Sequence, residues 1–207
     1  MPIELWQGLL IPFAGTTLGA ACVFFMRNNL GEMVQRALTG FAAGVMVAAS
    51  IWSLLIPAME EAKSAGQPEW LAASGGFILG IAFLMLLDSV LPHLHPGAKE
   101  AEGLSANWKR TTMLMTAVTL HNIPEGMAVG LSFALAAQSG QGAGYAAAMA
   151  LALGMGIQNF PEGAAISLPL RQEGISRTKS FVYGMLSGIV EPIFGILVVL
   201  IAGQIGQ

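Results

Sequence analysis

Two short segments of this chain carry ionisable and amide side chains inside long apolar stretches. The first is Thr119-Leu120-His121-Asn122-Ile123-Pro124-Glu125-Gly126; the second is Gly156-Ile157-Gln158-Asn159-Phe160-Pro161-Glu162-Gly163. A carboxylate in hydrocarbon is expensive, so such residues mark ion or proton pathways. On a helix His121 and Glu125 stand at i and i+4, and Gln158 and Glu162 repeat that spacing. Asn122–Glu125 and Asn159–Glu162 are i, i+3 pairs on the same side. Each helix thus offers a carboxylate, an amide, and an imidazole or second amide along one stripe. Imidazole suits zinc, iron and nickel, and oxygen ligands extend the range to manganese. No thiolate accompanies them, which argues against a closed structural zinc site. Oxygen-rich coordination suits an ion that must also leave.

The prolines and glycines sharpen this reading. Pro124 cannot donate to the Leu120 carbonyl, nor Pro161 to that of Ile157. Backbone oxygen freed at membrane depth is tolerated where it faces protein, water or an ion. Gly126 and Gly163 remove bulk just after each glutamate and permit close helix approach. The segments lie 37 residues apart on consecutive apolar stretches and therefore run antiparallel. Paired interrupted helices of this kind point to a transporter's central site. The alternative, a kink motif in which His and Glu satisfy each other, explains one such segment better than two.

Three further groups are candidates. Glu191-Pro192 sets a third carboxylate beside a proline in the last apolar stretch, either at the site or paired with Ser187. Met46, Ser50 and Ser53 lie on the second stretch, where Met usually packs and Ser often bonds back to its own helix. Asp88 precedes His93 and His95, which suits a cytoplasmic exit or sensing site and equally a satisfied helix end.

The elements that must position these groups are membrane helices. The 207 residues are 55% hydrophobic and 10% charged, against roughly 25% charged in soluble domains, and the mean hydropathy is +0.67. A span needs roughly 20 mostly apolar residues. Six stretches qualify, at about 5–26, 37–59, 71–91, 111–137, 143–170 and 180–203. The fold class expected is therefore an all-α membrane protein, a polytopic helical bundle forming a single transmembrane domain over 1–207. The first stretch lacks a basic n-region and runs too long for a signal peptide. Of nine basic residues, eight follow odd-numbered spans and Lys63 alone follows an even one. Basic loops stay cytoplasmic, so the N-terminus is expected outside. Glu4, Glu60, Glu61 and Glu69 then lie on the outer side. Cys22 is alone, and a net charge of −3 without a basic patch excludes nucleic-acid binding.

The chain resembles the ZIP (zinc- and iron-regulated transporter-like) metal transporters, and is most similar to their prokaryotic, GufA-like branch. The residues that carry the resemblance are His121-Asn122-x-Pro124-Glu125-Gly126, Gln158-Asn159-x-Pro161-Glu162-Gly163, Glu191-Pro192, and the run from Phe41 to Ser53. The resemblance implies import of divalent transition metals, zinc foremost, through a binuclear centre between spans 4 and 5. His121, Glu125, Gln158 and Glu162 would form one metal position; Asn122, Asn159 and Glu191 would join the shared glutamates at the other. Met46 and Ser53 would line the pore. Family members have eight spans arranged 3+2+3, so the six here leave spans 7 and 8 lacking, in a fragment or in a short form that relies on a partner.

Zinc or another divalent metal is then the transported substrate, with no organic cofactor and no enzymatic activity expected. An intramembrane metalloprotease would need a His pair such as His-Glu-x-x-His, and only His121 lies within a span. A metal-binding or sensing subunit without independent flux is the alternative function. The expected partners are metal ions and the lipid bilayer; a homodimer is admitted. The expected location is a bacterial plasma (inner) membrane.

Overall fold

The computed structural model describes residues 3–25, 31–94, 100, 102–104, 109–139 and 142–205. Helix dominates the described residues. Their apolar runs leave each backbone amide and carbonyl to be satisfied within its own segment, as a bilayer requires. Helix α1 spans Ile3–Ala21 and closes in a short 3-10 turn at Cys22–Phe24. Helices α2 (Glu32–Ala48) and α3 (Ile56–Ser64) are joined without a break by a π-helical segment, Ala49–Leu55. Helix α4 spans Glu69–Val90, α5 Arg110–Ser139, α6 Gly142–Gln172, α7 Arg177–Ser187 and α8 Val190–Ile205. The only strand-like pairing among the described residues is an isolated bridge between His93 and Glu102.

Among the described residues, four helical stretches are long and apolar enough to cross a membrane: Ile3–Phe25, Thr39–Ser64, Glu69–Val90 and Arg177–Gln204. Helices α5 and α6 are longer still, at 30 and 31 residues, or roughly 45 Å at 1.5 Å per residue. They are absent from that set because the two motifs lower their apolarity. Their polar side chains point inward: Asn122, Gln158 and Asn159 are wholly buried. This is the arrangement expected of an integral membrane protein whose polar groups line a bundle interior.

The bundle core is built from α1, α5, α6 and the α7–α8 pair. Leu5 and Leu9 of α1, Phe133 of α5, and Leu151 and Met155 of α6 form its apolar end. Lipid tails are as apolar as leucine, so van der Waals contact between backbones must supply the association. Small residues at four-residue spacing permit it. A Cβ on Gly15 would strike the Gly156 carbonyl, and one on Gly19 would strike that of Phe160. On α5, a Cβ on Gly126 would strike the Glu191 carbonyl and one on Gly130 that of Gly195. The close approach expected at Gly126 and Gly163 is present, Gly163 lying against the Thr16 carbonyl.

Helices α2, α3 and α4 sit outside this core. Helix α4 buries none of its residues and packs against α3. Its exposed face, including Phe77, Leu79 and Met85, is apolar.

Two local features depart from simple straight spans. The last apolar stretch is not one helix interrupted at Pro192; it breaks at Gly188–Ile189. Pro192 then falls in the first turn of α8, where a missing N–H is harmless. The second stretch widens over Ala49–Leu55, where the Ile56 amide reaches back to the Ile51 carbonyl. Pro57 lacks the N–H that the Ser53 carbonyl would otherwise receive, which accounts for local loss of the ordinary helical pattern.

Candidate metal centre

Helices α5 and α6 both run continuously through their internal prolines, Pro124 and Pro161. They pack against each other and bring the two motifs to the same level of the bundle. His121 Nε2 lies 3.4 Å from Glu125 Oε1 on its own helix and 3.8 Å from Glu162 Oε1 on α6. One ligand atom from each of these three residues falls within 4.8 Å of the others. The His121 side chain is 49% exposed, whereas that of Glu125 is 6% exposed. The cluster is thus open at its imidazole, half-buried at Glu162 and closed at Glu125.

The amides link the two helices. Gln158 Nε2 donates to Glu125 Oε1 at 2.6 Å and to Asn159 Oδ1 at 2.9 Å. Gln158 therefore turns across the interface to Glu125, although its i+4 neighbour on the same helix is Glu162. Asn159 neighbours both Glu125 and Glu191. Asn122 Nδ2 donates to the Ser187 carbonyl at 3.0 Å, tying α5 to the end of α7.

The break between α7 and α8 positions the third carboxylate. Glu191 lies in the first turn of α8, where the helix dipole favours negative charge. It is buried and near enough to Glu125 and Glu162 for their charges to interact. It does not pair with Ser187, whose hydroxyl donates to the Gly184 carbonyl at 2.7 Å. Its partner is Thr16 on α1, whose Oγ1 donates to Glu191 Oε1 at 3.0 Å.

One feature of this core has direct chemical meaning. Asn122 Oδ1, Glu125 Oε2, Gln158 Oε1, Glu162 Oε2 and Glu191 Oε2 are all buried without a hydrogen-bond partner. Buried polar atoms are ordinarily satisfied, and an unpaired buried carboxylate oxygen is costly. Five such oxygens, four on the two motifs and one on Glu191, form a set that a desolvated cation would satisfy.

The comparisons with known proteins agree with this chemistry. No protein-family model matches the chain. The chain is 34% identical to a protein of Xenopus tropicalis named zinc transporter ZIP11, over 92% of this chain and 77% of that protein. The chain belongs to the ZIP family. The human zinc transporter ZIP11 is 34% identical over 91% of the chain and 78% of its own length. The zinc transporter GufA of Myxococcus xanthus is 35% identical over 89% and 72%. ZIP membership thus includes similarity to the GufA-like branch, and these relatives are named as transporters rather than enzymes.

The remaining candidates stand apart from the carboxylate cluster. Met46 is half-buried on α2, and Ser53 is half-buried in the π-helical segment; both elements pack against α6. Ser50 donates to the Met46 carbonyl at 2.8 Å and so bonds to its own helix. At the far end of α4, His93 is buried, with Nε2 2.9 Å from Asp88 Oδ1 and Nδ1 2.8 Å from the Leu91 carbonyl. Glu102, which the sequence reading did not single out, completes a second three-ligand group with Asp88 and His93. Both ring nitrogens of His93 thus lie close to oxygen atoms, one from a side chain and one from the backbone. His95 lies outside the described residues.

Sequence reasoning also missed Thr16. The only signal was a Thr16-Thr17 pair within an apolar run. Thr17 shows why that signal is weak: its hydroxyl bonds back to the Phe13 carbonyl at 2.8 Å.

Proposed function

We propose that this ZIP protein moves divalent transition-metal ions, zinc foremost, across a membrane into the cytoplasm through a binuclear site between α5 and α6. The observation that carries the proposal is the set of five buried, unpartnered oxygens on the two motifs and Glu191. His121, Glu125, Gln158 and Glu162 hold the first ion. Asn122, Asn159 and Glu191 hold the second together with the shared glutamates.

The six helical stretches form one transmembrane domain in a bacterial plasma membrane. The bias of basic residues toward odd-numbered loops supports an N-terminus on the outer side. Met46 and Ser53 line the approach along α2 and the π-helical segment. The exposed apolar face of α4 meets lipid or a second copy of the chain. A hydrated ion enters from the outer side, exchanges water for the motif oxygens, and leaves past Asp88, His93 and His95.

The test compares equilibrium zinc binding with zinc flux for the purified chain in proteoliposomes. Saturable binding with flux down an imposed gradient is the expected result. Stoichiometric binding without flux would make the chain a metal-binding subunit instead.

Two predictions follow from the ligand chemistry. Metal-bound carboxylates and imidazole must be deprotonated, so binding releases protons and protons compete with the ion. Zinc affinity is expected to fall as pH drops from 7 to about 5. Titration calorimetry in buffers of different ionisation enthalpy reads both the affinity and the protons released. At the other end of the path, Asp88→Asn or His93→Ala is expected to lower maximal flux several-fold while leaving zinc affinity at the core unchanged. Flux and calorimetry on the same preparation separate the two quantities.

A further inference from the structure

We propose that Thr16 is a positioning residue for Glu191, fixing which carboxylate oxygen is offered to the metal. The inference rests on the site reading above and extends it to a helix that supplies no ligand of its own. Thr16 is fully buried. Its hydroxyl has two acceptors in reach, Glu191 Oε1 at 3.0 Å and the Pro12 carbonyl at 3.4 Å. Hydroxyl hydrogen bonds span about 2.5–3.0 Å, so the proton belongs to Glu191. The neighbouring Thr17 behaves oppositely and bonds back into its own helix.

The packing leaves Thr16 no freedom to turn away. A Cβ on Gly188, at the α7–α8 break, would lie 2.8 Å from Thr16 Cβ and 2.9 Å from its hydroxyl. A Cβ on Gly163 of α6 would strike the Thr16 carbonyl. Gly163 thus admits the Thr16 backbone, and Gly188 admits its side chain into the space beside Glu191. With Oε1 occupied by the hydroxyl, Oε2 is left buried and without a partner. It is the oxygen available to a cation. The role resembles that of the outer hydrogen-bond partners of metal ligands, whose loss lowers metal affinity roughly 10- to 100-fold.

Thr16→Val removes the donor while keeping the shape, and Thr16→Ser keeps the donor. The experiment is calorimetric zinc titration of the purified full chain in lipid nanodiscs, with the thermal midpoint of each variant recorded. Thr16→Val is expected to bind zinc about tenfold more weakly, and Thr16→Ser to bind as wild type does. In a Glu191→Gln background the Thr16→Val change is expected to add nothing, because Thr16 acts through Glu191. Wild-type affinity in Thr16→Val, tighter binding in it, or an equal further loss in the Glu191→Gln background would overturn the assignment. A lowered thermal midpoint with unchanged zinc affinity would make Thr16 a packing residue only. Absence of saturable zinc binding by the wild-type chain would overturn the site reading itself, and this inference with it.

Discussion

Replacing Glu125 or Glu162 by alanine is expected to abolish zinc uptake, by two orders of magnitude or more, while membrane insertion stays intact. Loss of a direct ligand exceeds the roughly 10- to 100-fold effect of losing an outer partner. Both carboxylates approach His121, and Glu125 also receives Gln158. The same substitutions are expected to leave the metal-free protein as stable as wild type or more so. Each removes a buried carboxylate with an oxygen that has no partner, and alanine is the strongest helix former. What the variants lose is the stabilisation that bound zinc gives the folded state. Thermal unfolding with and without zinc, beside an uptake assay, checks both halves. Zinc-dependent stabilisation that survives in Glu125→Ala would place the ion elsewhere.

Substituting the contact glycines is expected to do the reverse, losing the bundle while keeping every ligand. A Cβ on Gly163 would strike the Thr16 carbonyl and lie 2.8 Å from the Ala20 amide nitrogen; one on Gly126 would strike the Glu191 backbone. Backbone cannot rotate out of the way as a long side chain can, so α1 must part from α6, or α8 from α5. Overpacking of this kind destabilises by about 1–3 kcal/mol. The same parting pulls Thr16 and Glu191 from the motifs. Gly163→Ala and Gly126→Ala should therefore lower the thermal midpoint by several degrees and reduce uptake together. Gly80→Ala on α4, where a Cβ meets nothing within 4 Å, should change neither. That contrast separates a packing requirement from general intolerance of side chains in apolar helices.

Much of this was legible in the sequence because a bilayer is a severe solvent. Polar punctuation marks where helices end, and each of the six apolar stretches carries helix. The i, i+4 spacing placed His121 beside Glu125 on one face, and the two lie 3.4 Å apart. The same rule said less about Gln158: it turns to Glu125, because a buried amide takes the best acceptor in reach whichever helix carries it. Contacts distant in sequence were beyond periodicity. Thr16 and Glu191 are 175 residues apart, and a threonine in an apolar run gives no sign of its partner. The break before α8 was not anticipated, and Pro192 lies past it in the first turn of α8. Gly188, a residue without a Cβ facing Thr16, was the better signal. The π-helical turn at Ala49–Leu55 followed from Pro57, a proline whose effect falls on carbonyls upstream of it.

The central claim is that the unpartnered oxygens of the α5–α6–α8 core hold a divalent metal. Zinc-edge X-ray absorption of the purified, zinc-loaded chain tests it most directly. The account predicts only nitrogen and oxygen neighbours near 2.0–2.2 Å, including one imidazole, and a first shell that changes in His121→Ala and Glu162→Ala. A sulfur shell near 2.3 Å, or a first shell unaltered by both substitutions, would contradict it.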